Sequence, residues 1–149
     1  MWRDAGTGTF LNPGVLMPTR IQSLRLQAFQ RQCGLCFYCS APMWLLCPSE
    51  LPGCHPAQHA FKQLRCTAEH LLPQSEGGLD REDNIVAACA RCNHTRHQRK
   101  RPPLPSAYRE EVAKRMRRGC WHDSLVHRWL SLISQLAVAA AQPEVVRTR

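Results

Sequence analysis

The sequence predicts a small α+β fold: a short two-stranded unit, stapled by zinc and flanked by helices. Three observations predict it. Cysteines recur as two pairs of one spacing, Cys36-x2-Cys39 and Cys89-x2-Cys92. Two short runs, residues 66–72 and 85–88, read as strands separated by a turn that carries Gly77-Gly78. Helical periodicity returns on both sides of that unit.

The elements are taken in chain order. Residues 1–18, with Gly6, Gly8, Pro13, Gly14 and Pro18, read as an arm without periodicity. Thr19 is placed to cap a helix starting at Arg20, where Ile21, Leu24, Leu26, Ala28 and Phe29 fall roughly on one packing side. The stretch 40–65 is irregular and broken by Pro42, Pro48, Pro52, Gly53 and Pro56; within it, residues 58–64 suit a short helix. After the first strand, residues 73–83 form a turn, and the second strand leads into the second cysteine pair. The polar segment 93–100 reads as a helix ended by Pro102, Pro103 and Pro105. Ser106 is the expected cap of a helix over 107–118 that Gly119 closes. Leu125, Val126, Trp129, Leu130, Leu132, Ile133 and Leu136 recur at helical spacing. They make a last amphipathic helix, which packs on the body or on a second copy and ends at Pro143. No internal repeat is present.

At 149 residues the chain has one domain's worth of sequence. Hydrophobic residues at 44% and charged residues at 21% argue against wholesale disorder. Twenty Lys and Arg stand against eleven Asp and Glu, a net charge of +9 that favours a polyanionic partner, nucleic acid or an acidic membrane. No apolar run approaches the roughly eighteen residues of a spanning helix. The start, Met1-Trp2-Arg3-Asp4, lacks the basic-then-apolar order of a signal peptide. The expectation is a cytoplasmic protein with no membrane partner.

Nine cysteines are an odd number, and a reducing cytosol disfavours disulfides. Metal-bound thiolates account for them better. Two residues between cysteines let one tight turn present both sulfurs to one ion, and two such turns complete a tetrahedral four-thiolate zinc site. Cys33 competes with Cys36 as a ligand; Cys36 is preferred because Phe37-Tyr38 sits inside its knuckle as aromatic packing. Cys47, Cys54, His55, His59 and Cys66 could form a second site, but buried thiols and solvated imidazoles account for them more simply.

Between the knuckles lies C-T-A-E-H-L-L-P-Q-S-E-G-G, residues 66–78, and then D-N-I-V-A-A-C-A-R-C-N-H-T-R-H, residues 83–97. Acid-His, Gly-Gly, Asn and both knuckles in this order resemble the HNH endonucleases, whose ββα-metal motif is built around zinc knuckles. The resemblance covers about residues 25–101. It is closest to bacterial HNH proteins that read C-F-Y-C, C-T-A-E-H and N-I-V-A-A-C, and residues 102–121 also resemble the segment after the motif in those proteins. It implies an HNH nuclease domain over 19–101 and a C-terminal helical extension over 102–149.

The resemblance further implies a metal-dependent DNA endonuclease leaving 5′-phosphate and 3′-hydroxyl ends. Phosphodiester hydrolysis needs a deprotonated water, and a neutral imidazole can take that proton; His70 is the base by resemblance. A divalent ion must neutralise charge on the phosphate and on the departing oxygen. Glu69, Asn93 and His97 are its ligands, Asn93 and His97 sharing a helix face four residues apart. Oxygen and imidazole donors suit Mg²⁺ first, with Mn²⁺, Ni²⁺ or Zn²⁺ as alternatives. Asn84 matches the middle Asn, which ties the loop between the strands and orients the base. Many relatives have Asp where Glu69 stands and His where Asn93 stands, which leaves the metal preference open and makes His94 an alternative to Asn93. Neighbouring strand residues point to opposite sides, so Glu69 and His70 serve one site only if the backbone bends.

Arg91, Arg96, Arg99, Lys100 and Arg101 crowd the metal helix and read as a track for DNA phosphates, with RNA left open as a partner. Lys114, Arg115, Arg117 and Arg118 are as readily a solvated face. No base-reading module is present. The rival reading is a non-catalytic, zinc-stapled nucleic-acid-binding module; a thiol redox protein lacks its βαβ context. A homodimer through the C-terminal helix is a further expectation.

Overall fold

The computed structural model describes residues 17–55 and 57–141, so nearly all of the expected arm and the terminus from Pro143 onward lie outside the described residues. Helix α1 spans Arg20–Arg31. Thr19 and Gln22 cap it reciprocally: Gln22 N–H donates to Thr19 Oγ1 at 3.4 Å and Thr19 N–H to Gln22 Oε1 at 2.8 Å. Leu24 and Ala28 face the core, whereas Leu26, two residues on from Leu24, points to solvent. That placement departs from the expected packing side, because a two-residue step turns a side chain most of the way round a helix.

Strand β1, Cys66–His70, pairs antiparallel with β2, Ile85–Cys89, in the register Cys66↔Cys89 to His70↔Ile85. The first strand ends at His70, two residues short of the expected end. Between the strands Gly78 lies so close to the backbone that a Cβ there would stand 1.8 Å from Leu72 O, which only glycine tolerates. Single-turn 3₁₀ segments at Pro48–Glu50 and Gln74–Glu76 and a longer one at His59–Leu64 order the connections.

Helix α2 spans Ala90–His97 and begins three residues earlier than the polar run suggests. Cys89 caps it, its Sγ accepting the Cys92 N–H at 3.5 Å. Helix α3 spans Pro105–Arg117. The expected Ser106 cap is incorrect: Leu104 occupies the cap position and Pro105 the first turn, where a missing N–H costs nothing. Gly119 closes the helix at φ +65°.

Helix α4 spans Ser124–Ala141. Its inner half packs on the body. Trp129 stacks edge-on against Phe61 with centroids 5.4 Å apart and donates its indole N–H to Pro52 O at 2.8 Å. Its outer half presents Leu132, Leu136 and Val138 to solvent. No helix among the described residues is long and apolar enough to cross a membrane.

A two-stranded sheet is marginal alone. Here α1 covers it, and Tyr38, Phe61, Leu64, Tyr108, Val112, Trp121 and Val126 build the core around it. Trp129→Ala should therefore cost about 3–5 kcal/mol in denaturant unfolding of the zinc-loaded protein. In the monomer, Leu136→Ala should stay within about 0.5 kcal/mol, as for an exposed side chain. Equal costs would show that α4 is held differently.

Candidate functional site

After α1 the chain reverses through Cys33 and Gly34, both at positive φ. The next turn, in which Ser40 N–H donates to Cys36 O at 2.9 Å, delivers Cys36 and Cys39 side by side. The last residue of β2 and the first turn of α2 deliver Cys89 and Cys92. All four sulfurs lie within 4.8 Å of one another, and all four residues are buried. Sulfurs about 2.3 Å from a central ion would stand roughly 3.8 Å apart at a tetrahedral edge; Cys39 and Cys89 stand 3.8 Å apart. Cys33 is exposed and outside the group. Among the described residues no other group of three or more His, Cys, Asp or Glu is near enough to share an ion, so the group of Cys47, Cys54, His55, His59 and Cys66 does not form one.

The sulfurs receive donors from the rest of the chain. Cys89 N–H reaches Cys36 Sγ at 3.2 Å, and Trp121 Nε1–H reaches Cys92 Sγ at 3.2 Å. His122 Nε2 lies 3.5 Å from Cys39 Sγ. Burial pushes the Cys89 and Cys92 thiols up, and their hydrogen bonds with Cys36 and Cys39 add to it. Cys36 is held down despite its burial by bonds from Cys39, Cys89 and Cys92. A dication among these sulfurs would hold them as thiolates. The donor set fits structural zinc. Trp121 and His122 were not foreseen from the sequence, because no spacing ties residues of the C-terminal extension to a knuckle.

The end of β1 builds the second site. Glu69, His70, Gln74, Asn93 and His97 line one cavity of about 240 Å³. The strand stops at His70 and the chain bends away, so neighbouring side chains that point oppositely both reach the cavity. Asn84 pins the bend: Leu71 N–H donates to Asn84 O at 2.9 Å, Leu72 N–H to Asn84 Oδ1 at 2.8 Å, and Asn84 Nδ2 to Leu72 O and Leu79 O, both at 3.1 Å. His70 Nε2 lies 2.8 Å from Asp80 Oδ1. That bond holds the Asp80 carboxyl below the usual carboxylate range. Asp80 comes after Gly77-Gly78 in the loop, and sequence reasoning missed it because the partnership spans ten residues of turn.

Glu69 is fully buried, and each of its oxygens is engaged. Tyr38 donates to Oε1 at 3.0 Å, Arg96 Nη1 to the same oxygen at 2.5 Å, and His97 Nε2 lies 3.0 Å from Oε2. Burial, and then the Glu69 charge, push the Tyr38 phenol up, so it remains a donor. Asn93 Nδ2 donates to Thr67 Oγ1 and Ala68 O, both at 3.0 Å, which leaves Oδ1 as the donor atom it can offer an ion. His94 is exposed, and Gln98 Nε2 donates to its Nε2 at 2.9 Å; it does not line the cavity.

The expected phosphate track needs correction. Arg96 is 1% exposed. Besides Glu69, its guanidinium donates to His70 O, Leu71 O and Pro103 O. A side chain so enclosed cannot reach a phosphate. Arg99 pairs with Glu111 at 2.7 Å. Lys100 and Arg101 are exposed, and Arg91 lies over the Trp121 ring, 5.4 Å from its centroid.

Residues 54–99 match the family model described as HNH endonuclease. The match includes Glu69, His70, Asn84, Asn93, His97 and the second knuckle, and leaves out Cys36 and Cys39. No curated protein matches the chain.

Purified protein should hold about one Zn²⁺ per chain. Cys89→Ser should unfold or aggregate it, since metal binding here is part of folding. Trp121→Phe, which keeps the ring and loses the N–H, should keep the fold but release zinc to a chelator several-fold faster, within the roughly 10–100-fold range for lost outer contacts. A folded, metal-free wild type would refute the zinc assignment.

Proposed function

We propose that this chain, with its HNH endonuclease segment at residues 54–99, is a metal-dependent endonuclease that hydrolyses DNA to 5′-phosphate and 3′-hydroxyl ends. The observation that carries the reading is the convergence of Glu69, His70, Asn93 and His97 on one cavity. A neutral His70 donates its Nε2 proton to Asp80, which leaves Nδ1 with a lone pair. That nitrogen takes the proton of the attacking water. Asn84 holds the bend on which His70 and the Asp80 loop sit. Tyr38 and Arg96 fix Oε1 of Glu69, which turns Oε2 toward His97.

Glu69, His97 and Asn93 would hold a divalent ion, Mg²⁺ first among the candidates, which supplies charge neutralisation at the phosphate and the departing oxygen. Exposed Arg91, Lys100 and Arg101 add positive charge along the substrate's backbone. A reducing compartment such as the cytoplasm suits a chain whose buried thiolates serve a metal. The outer face of α4, with Leu132 and Leu136, is where a second copy would pack.

One observation favours the rival reading of a non-catalytic, zinc-stapled binding module. Arg96 already neutralises Glu69, so the carboxylate does not need an ion to be stable where it is. Catalysis separates the two. With Mg²⁺ or Mn²⁺ the wild type should nick supercoiled plasmid. His70→Ala should keep zinc, fold and DNA affinity and lose roughly 10²–10⁴-fold in rate. His97→Ala should regain part of its lost activity at raised metal concentration, whereas His70→Ala should not. A wild type that binds DNA yet fails to cleave it with any divalent ion would make the module the better reading.

A further inference from the structure

We infer that a second, basic cleft beside the cavity seats the phosphodiester backbone flanking the cleaved bond; this rests on the nuclease reading. The cleft has a volume of about 530 Å³, and its walls include Gln63, Arg65, Thr67, Arg91, Asn93 and His94. Asn93 is also a wall of the catalytic cavity, so the two openings adjoin across one side chain. A strand whose phosphate lies by His70 reaches the cleft without leaving the surface.

The charge there is uncommitted. Arg65 and Arg91 are both exposed, and among the described residues neither takes part in an ion pair. No carboxylate lines the cleft. Gln63 Oε1 accepts the Asp123 N–H at 3.3 Å, so Gln63 has its amide N–H groups left to offer. The other end of α2 differs: Arg96 is buried on Glu69, and Arg99 is neutralised by Glu111.

Arg91 is also held in place. Its guanidinium lies against the Trp121 ring, and Arg115 lies against the same ring at 5.7 Å. Trp121 is itself tied to Cys92 Sγ. A cation braced on a buried ring loses less side-chain freedom when a phosphate arrives than a free one does. The cleft is open and adjoins the cavity at Asn93, which suits an extended polyanion. Arg65 gives no signal in the sequence because it stands ahead of β1, far from the basic residues of α2.

The test uses the full zinc-loaded chain without added divalent ion, and reads fluorescence anisotropy of a short labelled DNA duplex across a NaCl series. Arg65→Ala combined with Arg91→Gln, which keeps a stem over Trp121, should weaken binding roughly tenfold and make the log–log salt slope shallower by about two. Arg65→Ala alone, at an exposed residue, should make it shallower by about one, and it serves as the test if the double variant loses its zinc. Arg99→Ala should change the slope by well under about one unit. A zinc-loaded double variant with the wild-type slope overturns the cleft and leaves the nuclease reading standing. A wild type that does not bind DNA overturns both.

Discussion

Four sulfurs held within 4.8 Å of one another make a demand that the rest of the chain is arranged to meet. Buried thiols resist ionisation together, and they gather stably only around a cation. The knuckles come from places that have little else to hold them: the turn after α1 and the junction of β2 with α2. Two five-residue strands and an eight-residue helix bury too little to fold alone. Clamping the turn to the junction fixes α1 over the sheet and sets where α2 starts. The extension joins the same constraint: Tyr108 donates to Cys92 O at 2.7 Å, and Trp121 and His122 cover sulfurs. Residues beyond the family match thus form the outer wall of the metal centre.

A second constraint is the buried carboxylate of Glu69. Taking such a group from water costs several kcal/mol unless it is paired and hydrogen-bonded. Arg96 supplies the charge and Tyr38 a hydroxyl, and Arg96 also binds two carbonyls at the end of β1 and one at Pro103. One guanidinium therefore neutralises the acid, holds the bend beside His70 and ties the strand to the extension. Removing either partner leaves the other buried and uncompensated, about 3–5 kcal/mol by the usual measure. The arrangement fixes Glu69 firmly and takes Arg96 away from the surface.

How much of this is legible in the sequence depends on how local each signal is. The knuckles are readable because a C-x2-C turn needs only its own residues to aim two sulfurs. The cap at Thr19 is readable for the same reason, its partner Gln22 lying within one turn. Arg96 misleads because composition cannot tell an arginine that pairs inward with a strand from one that faces water. Ser106 misleads because Pro105 fits the first turn of α3 better than Ser106 fits its cap. Asp80, Trp121 and His122 escape because their partners are distant in the chain. Even Glu69 and His70, adjacent in sequence, become one site only through a bend that Asn84 enforces by tertiary contacts.

Helix α2 shows how few residues carry the whole arrangement. Cys92 and Arg96, four apart, face inward, one toward the sulfurs and one toward Glu69. Asn93 and His97, again four apart, line the cavity at the end of β1. Arg91 and His94, three apart, line the basic cleft. These are the i, i+3 and i, i+4 rows of one helix, so about a hundred degrees of rotation per residue separates the cysteine cluster, the cavity and the cleft. A shift of one residue in the start of α2 would move each side chain into the next row, with Asn93 leaving the cavity and Arg96 leaving its carboxylate. The start is set by Cys89, which is at once the end of β2, the cap of α2 and a member of the cluster. The cysteine knuckle therefore fixes the rotation of the helix as well as holding the fold together, and the geometry of the cavity is a consequence of that rotation.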